Sequence, residues 1–108
     1  MDPRAEERIA INESRFRQVN EAIERGQRTA EGPIGFVCEC GQLGCNEVIE
    51  LEHAEYEGVR RSPRRFLLVD GHQTPIDETI ERYERHVVVV KTGHGGEVAE
   101  ELDPREGA

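Results

Sequence analysis

The stretch Cys38-Glu39-Cys40-Gly41-Gln42-Leu43-Gly44-Cys45 contains all three cysteines of the chain. A hydrophobic core rarely needs thiols at this density, whereas a soft divalent ion such as zinc is held by thiolates that converge on one point. The two glycines give the loop the freedom to fold tightly and to turn the sulfur atoms inward. The C-x-C-x4-C spacing differs from the commoner pair of C-x-x-C loops. The stretch therefore predicts a metal site with three cysteine ligands.

A structural zinc ion takes four ligands, and the chain has four histidines that could supply the last one. We favour His72, because it follows an apolar strand in a turn where Gly71 frees the backbone to present a side chain. His53 begins a predicted surface helix, and His86 precedes a run of valines as an ordinary strand-edge residue. His94 stands among glycines, where we expect a mobile segment. The predicted ligand set is Cys38, Cys40, Cys45 and His72.

Water in the fourth position would instead make the site resemble a hydrolytic zinc centre. Such a centre needs a general base, and the chain has neither an H-x-E nor an H-E-x-x-H pattern. Glu39 and Glu47 are adjacent to cysteines or close to them, but neighbouring side chains in a strand point to opposite faces. The sequence therefore favours a structural metal over a catalytic one, and we predict no catalytic residue.

Composition limits both the core and the partners. The chain has 108 residues, only 35% of them hydrophobic, and a net charge of -9. One small domain fits this length, and a structural metal would help to stabilise a core of this size. The acidic excess argues against broad nucleic-acid binding, because phosphates would be repelled at long range. The absence of a long apolar segment and of a signal-peptide layout favours the cytoplasm, where thiols stay reduced.

An arginine-rich run stands out against this acidic background. Four arginines could clamp phosphates in a nucleic acid or a partner rich in carboxylates. We favour a simpler interpretation, in which they neutralise nearby acids and are otherwise solvated. The four are Arg60, Arg61, Arg64 and Arg65.

The first helix is predicted over Pro3 to Gly26, since proline suits a first helical turn and glycine a helix end. Its apolar residues share one narrow stripe, and Asn12 falls on the same stripe. The stripe could cover the domain's own core or meet a helix of a second chain. A polar linker over residues 27–33 follows, so we predict a helical unit at 1–32 and a zinc-binding domain at 33–108. The apolar residues of the stripe are Ile9, Phe16, Val19 and Ile23.

The rest of the chain alternates short strands and helices. Apolar runs predict strands at 34–40, 48–51, 65–70 and 86–92, the last of them containing four successive valines. Helices are predicted at 52–61 and 97–102, and the pattern at 78–83 fits either a helix or a strand. The predicted fold is an α+β domain, in which an N-terminal amphipathic helix precedes a small antiparallel sheet pinned by a zinc site.

The sequence also resembles a group of small uncharacterised actinobacterial proteins with a CxC-x4-C…GH pattern. The residues that carry this resemblance are Phe36-Val37-Cys38-Glu39-Cys40, Cys45, Glu55-Tyr56-Glu57-Gly58-Val59-Arg60, Pro63, Arg65-Phe66 and Gly71-His72. Further matches lie at Asn12-Glu13, at Phe16-Arg17-Gln18-Val19-Asn20-Glu21 and at Asp103-Pro104-Arg105. The resemblance implies that the three cysteines and His72 belong together and that 78–92 forms a hairpin. It implies no activity.

From these features we expect a small zinc-stabilised protein-interaction module, with transcription or stress regulation as the suggested process. We expect its partner to be a protein, or a second copy of the chain, bound through the N-terminal helix. The alternatives are a zinc-dependent hydrolase-like enzyme, a nucleic-acid binder that uses the arginine run, and a metal or redox sensor.

Overall fold

This computed structural model describes residues 2–29, 31–42 and 44–105. The residues outside those ranges fall in four of the predicted segments. Met1 belongs to the unit 1–32, Ala30 to the linker, Leu43 to the cysteine loop, and 106–108 to the end of the unit 33–108. The fold is α+β, as predicted. Its elements are α1 (Pro3–Gly26), β1 (Ile34–Val37), β2 (Val48–Leu51), α2 (His53–Val59), β3 (Arg65–Val69), β4 (Asp77–Arg82), β5 (His86–Lys91) and α3 (Gly93–Glu101).

Helix α1 has the predicted bounds, and Asp2 caps its start by accepting a hydrogen bond from the backbone N–H of Arg4. The face that it buries is polar, which the pattern of apolar residues did not predict. Of the apolar stripe, Val19 is 46% exposed and the other members are half-buried. The residues that α1 buries are Ala10, Glu13, Ser14, Arg17, Asn20, Glu21 and Glu24. Contacts with α3 and β1 join the helix to the rest of the chain across the predicted boundary at residue 32.

Two antiparallel sheets follow the helix. One pairs β1 with β2, and the other has the strand order β3-β5-β4. The ambiguous segment at 78–83 is part of β4, which forms a hairpin with β5. The valine run lies at the centre of the three-stranded sheet, and Val87, Val88 and Val89 are buried there against β3. Strand β1 ends at Val37, three residues earlier than predicted, because the chain turns away into the cysteine loop.

Helix α3 begins at Gly93, four residues before the predicted start. The glycines that suggested a mobile break are instead helical, and two of them allow close packing. A Cβ atom on Gly96 would lie 2.8 Å from the carbonyl oxygen of Lys91, and the backbone N–H of Gly95 donates to Glu6 of α1 at 2.9 Å. No helix within the described ranges is long and apolar enough to cross a membrane.

Buried charges join α1 to the other elements. Lys91 Nζ lies 2.5 Å from Glu13 Oε1 and also pairs with Asp77, and all three side chains are fully buried. Arg17 donates to the carbonyl oxygen of Ala99 at 2.7 Å and lies over the ring of Phe66. Because each of these buried ionisable groups has a partner from a distant part of the chain, the contacts fix how α1 docks.

The interpretation of the arginine run as solvated was wrong for Arg60. Its side chain is fully buried and pairs with Glu21 of α1 and with Asp103. Arg64 pairs with Glu100, and of the four arginines only Arg61 is classed as exposed. The run is therefore not a continuous basic surface, because its members turn into different parts of the fold.

Candidate metal centre

The structure brings together all four residues of the predicted ligand set. Cys38 and Cys40 follow β1, Cys45 precedes β2, and His72 lies in the turn after β3. One side-chain donor atom from each lies within 4.8 Å of the others. His72 Nδ1 is 3.6 Å from Cys38 Sγ and 3.7 Å from Cys45 Sγ. Three separate segments thus converge on a single candidate metal site.

The loop between the second and third cysteines rests on α1. Gly41 has φ +74°, and a Cβ atom at this position would lie 2.9 Å from the backbone nitrogen of Glu13. Both the backbone conformation and the close approach therefore require glycine. Gly44 also has a positive φ, of +90°, and the Cys45 N–H donates to the carbonyl oxygen of Gln42 at 3.0 Å. The turn brings the Cys45 thiol close to those of Cys38 and Cys40, as expected from the two glycines in the loop.

The first two thiols are buried, and the N–H of Val69 donates to Cys38 Sγ at 3.2 Å. Burial raises the pKa of both thiols and outweighs the hydrogen bonding that favours the thiolate. Without a cation both sulfur atoms would stay protonated. A metal ion would supply the charge that stabilises buried thiolates.

Glu39, between the first two cysteines, holds the loop in place from its other side. Its side chain points away from the thiols, as predicted, and is completely buried. One carboxylate oxygen accepts from the backbone N–H of Leu67 at 2.9 Å, and the other accepts from Asn20 and Tyr56. From the sequence, Glu39 was considered only as a general base. Its position between two cysteines that share one face was the sequence feature that could have indicated a buried Glu39 on the opposite face.

The three remaining histidines lie elsewhere. His53 Nε2 is 3.3 Å from Glu24, and His86 stacks on Tyr83 with ring centroids 4.7 Å apart. His94 is in the first turn of α3, and its side chain is 44% exposed. Each therefore has a role, or a position, that does not require a metal.

A second group of donor atoms comes from Glu24, His53 and Glu57. These two carboxylates already form ion pairs with an arginine, because Arg105 lies 3.7 Å from Glu24 and 2.6 Å from Glu57. The hydrogen bond from Arg105 holds the pKa of Glu57 below its usual range. This group fastens the C-terminal segment onto α1 and α2, and its ion pairs account for it without a metal.

No family model, no curated protein and no solved structure matches this chain. The resemblance to small actinobacterial proteins and the suggested regulatory process therefore stay predictions. The function of the chain has to be inferred from the four clustered residues and from the surfaces around them.

Proposed function

We propose that Cys38, Cys40, Cys45 and His72 bind one zinc ion. A tetrahedral ion with Zn–S bonds of about 2.3 Å and Zn–N bonds of about 2.0 Å holds sulfur and nitrogen about 3.5 Å apart. The separations from His72 Nδ1 to two of the thiols, 3.6 and 3.7 Å, are close to that value. This agreement is the observation that carries the proposal. Thiolate and imidazole are also the ligands that zinc prefers.

The role that we propose for the ion is structural. Four protein ligands would complete a tetrahedral shell and leave no open position for a reactive water molecule. The ion would tie together the end of β1, the start of β2 and the turn after β3. Metal binding would then contribute directly to the free energy of folding. On this basis we propose a non-enzymatic protein in a reducing compartment, with the cytoplasm as the expected location.

The function that suits such a domain best is protein interaction. The stripe of α1 is the proposed contact surface, and the exposure of Val19 supports this choice. Ile23, at the C-terminal end of the stripe, packs against the apolar core, so the contact would be made by the residues around Val19. A narrow stripe with Asn12 on its seam suits a helix of a partner protein or of a second copy better than a broad sheet face. Transcription or stress regulation remains the proposed process. Binding to nucleic acid through the arginine run is disfavoured, because its side chains are dispersed.

Metal analysis of the purified chain tests the zinc proposal. We expect close to one equivalent of zinc, and a tetrahedral thiolate spectrum after cobalt substitution. The variants Cys40→Ser and His72→Ala should lose the ion, while His94→Ala is the matched control and should keep it. Loss of the ion should lower the melting temperature by at least about 12 °C, because a structural zinc contributes several kcal/mol. The proposal would be wrong if the purified protein were folded and reduced but contained no metal, and if its melting temperature did not change when zinc was added.

A further inference from the structure

Among the strands that the structure describes, none pairs with the outer edge of β2. The Cys38 N–H donates to the carbonyl oxygen of Glu47, and the register then pairs Val37 with Val48 and Gly35 with Glu50. In an antiparallel ladder hydrogen-bonded and non-hydrogen-bonded pairs alternate, so the backbone N–H and C=O groups of Val48 and Glu50 point away from β1. Within the described ranges, no hydrogen bond of the protein reaches these four groups.

Two other strand edges near this one are partly closed by side chains. On the outer edge of β1, Asn20 accepts from the N–H of Val37 and donates to its C=O, both at 2.8 Å. On the outer edge of β3, Glu39 accepts from the N–H of Leu67, and Cys38 Sγ accepts from that of Val69. The edge of β2 differs from these two, because both of its outward residues keep their backbone groups open.

A groove of about 780 Å³ runs along this open edge. Residues 47–50 form one wall, and Val69 and His86 contribute to the other. Val48, in the first wall, is 60% exposed. An added strand would lie about 4.8 Å from the backbone of the strand that it joins.

Charge indicates what kind of chain would fit. The groove walls carry four acidic side chains and a single arginine, Arg85. Asp70 is paired with Arg82. The other three acidic side chains, opposed by Arg85 alone in the groove, leave an excess of negative charge there; they are Glu47, Glu50 and Glu84.

We propose that this groove binds an extended, lysine- or arginine-rich segment of a partner protein, which adds a strand to the edge of β2. Backbone pairing with Val48 and Glu50 would supply the affinity, and the acidic walls would select basic side chains. A second copy of this chain is a poor occupant. Antiparallel pairing that opposes Val48 of each copy to Glu50 of the other would place the two Glu50 side chains at diagonal positions on one face, where like charges repel. The proposal rests on the proposed role in protein interaction, but neither on zinc nor on the stripe of α1.

A model peptide tests the groove with the full chain. The probe is a fluorescent ten-residue peptide of alternating valine and lysine, and its binding is followed by anisotropy. We expect binding that weakens as salt is raised. A peptide of alternating valine and glutamate should not bind, and N-methylation of every amide in the lysine peptide should abolish binding, because neither edge of the peptide can then pair. Failure of the lysine peptide to bind, or equal binding of its N-methylated form, would overturn the proposal.

Variants then place the peptide on the protein. Val48→Pro removes an outward N–H that has no partner among the described residues, and Glu50→Lys reverses a charge in the wall. Each should weaken binding by at least about tenfold. Glu101→Lys makes the same change of charge at an exposed position on α3 and should bind as the parent does. Zinc content and melting temperature are measured on the same samples. Parent-like binding by both groove variants would refute the groove and leave the zinc proposal standing.

Discussion

Replacement of Glu13 by glutamine should change how stability depends on pH. Glu13 and Asp77 share one cation, Lys91, and all three side chains are fully buried. Ionisation of both carboxyls would leave a net negative charge inside the protein. Burial raises the pKa of Glu13 from 4.5 to about 8, with Asp77 and Glu39 adding to the increase and Lys91 opposing it. At neutral pH the carboxyl of Glu13 is therefore protonated, and a neutral amide of similar shape should replace it with little loss.

The sign of the effect follows from proton binding. Between pH 4.5 and about 8 the folded protein keeps the proton of Glu13, while the unfolded chain has released it. The contribution of Glu13 to the free energy of unfolding is therefore greatest below pH 4.5 and is lost as the pH rises towards 8. One proton corresponds to a slope of about 1.4 kcal/mol per pH unit. From pH 5 to 8 the parent should lose up to about 4 kcal/mol relative to Glu13→Gln.

Urea denaturation of zinc-loaded parent and variant, at half-unit steps of pH, measures this difference. Metal ligands and the other buried charges are common to both proteins, so subtracting the two curves isolates Glu13. Glu101→Gln is the control, because its carboxyl is exposed on α3, and its curve should run parallel to that of the parent. Parallel curves for Glu13→Gln as well would mean that Glu13 is ionised in the folded protein, and the reasoning from burial would be wrong.

Three further predictions concern the buried polar face and the loop. Arg60→Gln should lower the free energy of unfolding by about 3–5 kcal/mol, since its two carboxylate partners lose a buried cation. The control is the neighbouring exposed Arg61→Gln, which should change the free energy of unfolding by less than about 0.5 kcal/mol. Urea denaturation measures both. Gly41→Ala should cost more than about 2 kcal/mol in the same assay, from a positive φ and a clash with α1, and should weaken zinc binding in a chelator competition. Deletion of residues 1–32 should leave a chain without a cooperative thermal transition, because the deletion removes the partners of several buried charges. A folded, zinc-loaded truncation would instead support an independent unit at 33–108.

Sequence alone predicted the features that depend on neighbouring residues. The proline and glycine at the ends of α1, the apolar run of β3 and the close spacing of three cysteines are local signals. They indicated the helix bounds, the strand and most of the candidate site. His72 was predictable as well, because a glycine turn after a buried strand is a local pattern.

Features that depend on distant partners could not be predicted in this way. The buried face of α1 is polar because Glu13 meets Lys91 and Arg17 meets Ala99, 78 and 82 positions further along the chain. Read from the helix alone, the same charges indicate a solvated face. The start of α3 was missed for a related reason. Glycine disfavours a helix by itself, but Gly96 is needed where α3 passes close to the end of β5.

The candidate metal loop and the buried face of α1 depend on each other. Glu39 lies between two of the proposed ligands, and the Asn20 amide that satisfies its carboxylate also pairs with Val37 at the end of β1. Gly41, directly after Cys40, packs against the backbone of α1 at Glu13. Buried ion pairs specify one docking arrangement but add little net stability, because desolvation offsets much of their attraction. With only 35% hydrophobic residues, the apolar core has limited capacity to make up that difference. A metal bound where three segments meet would supply the missing stability, and it would do so only when α1 is docked.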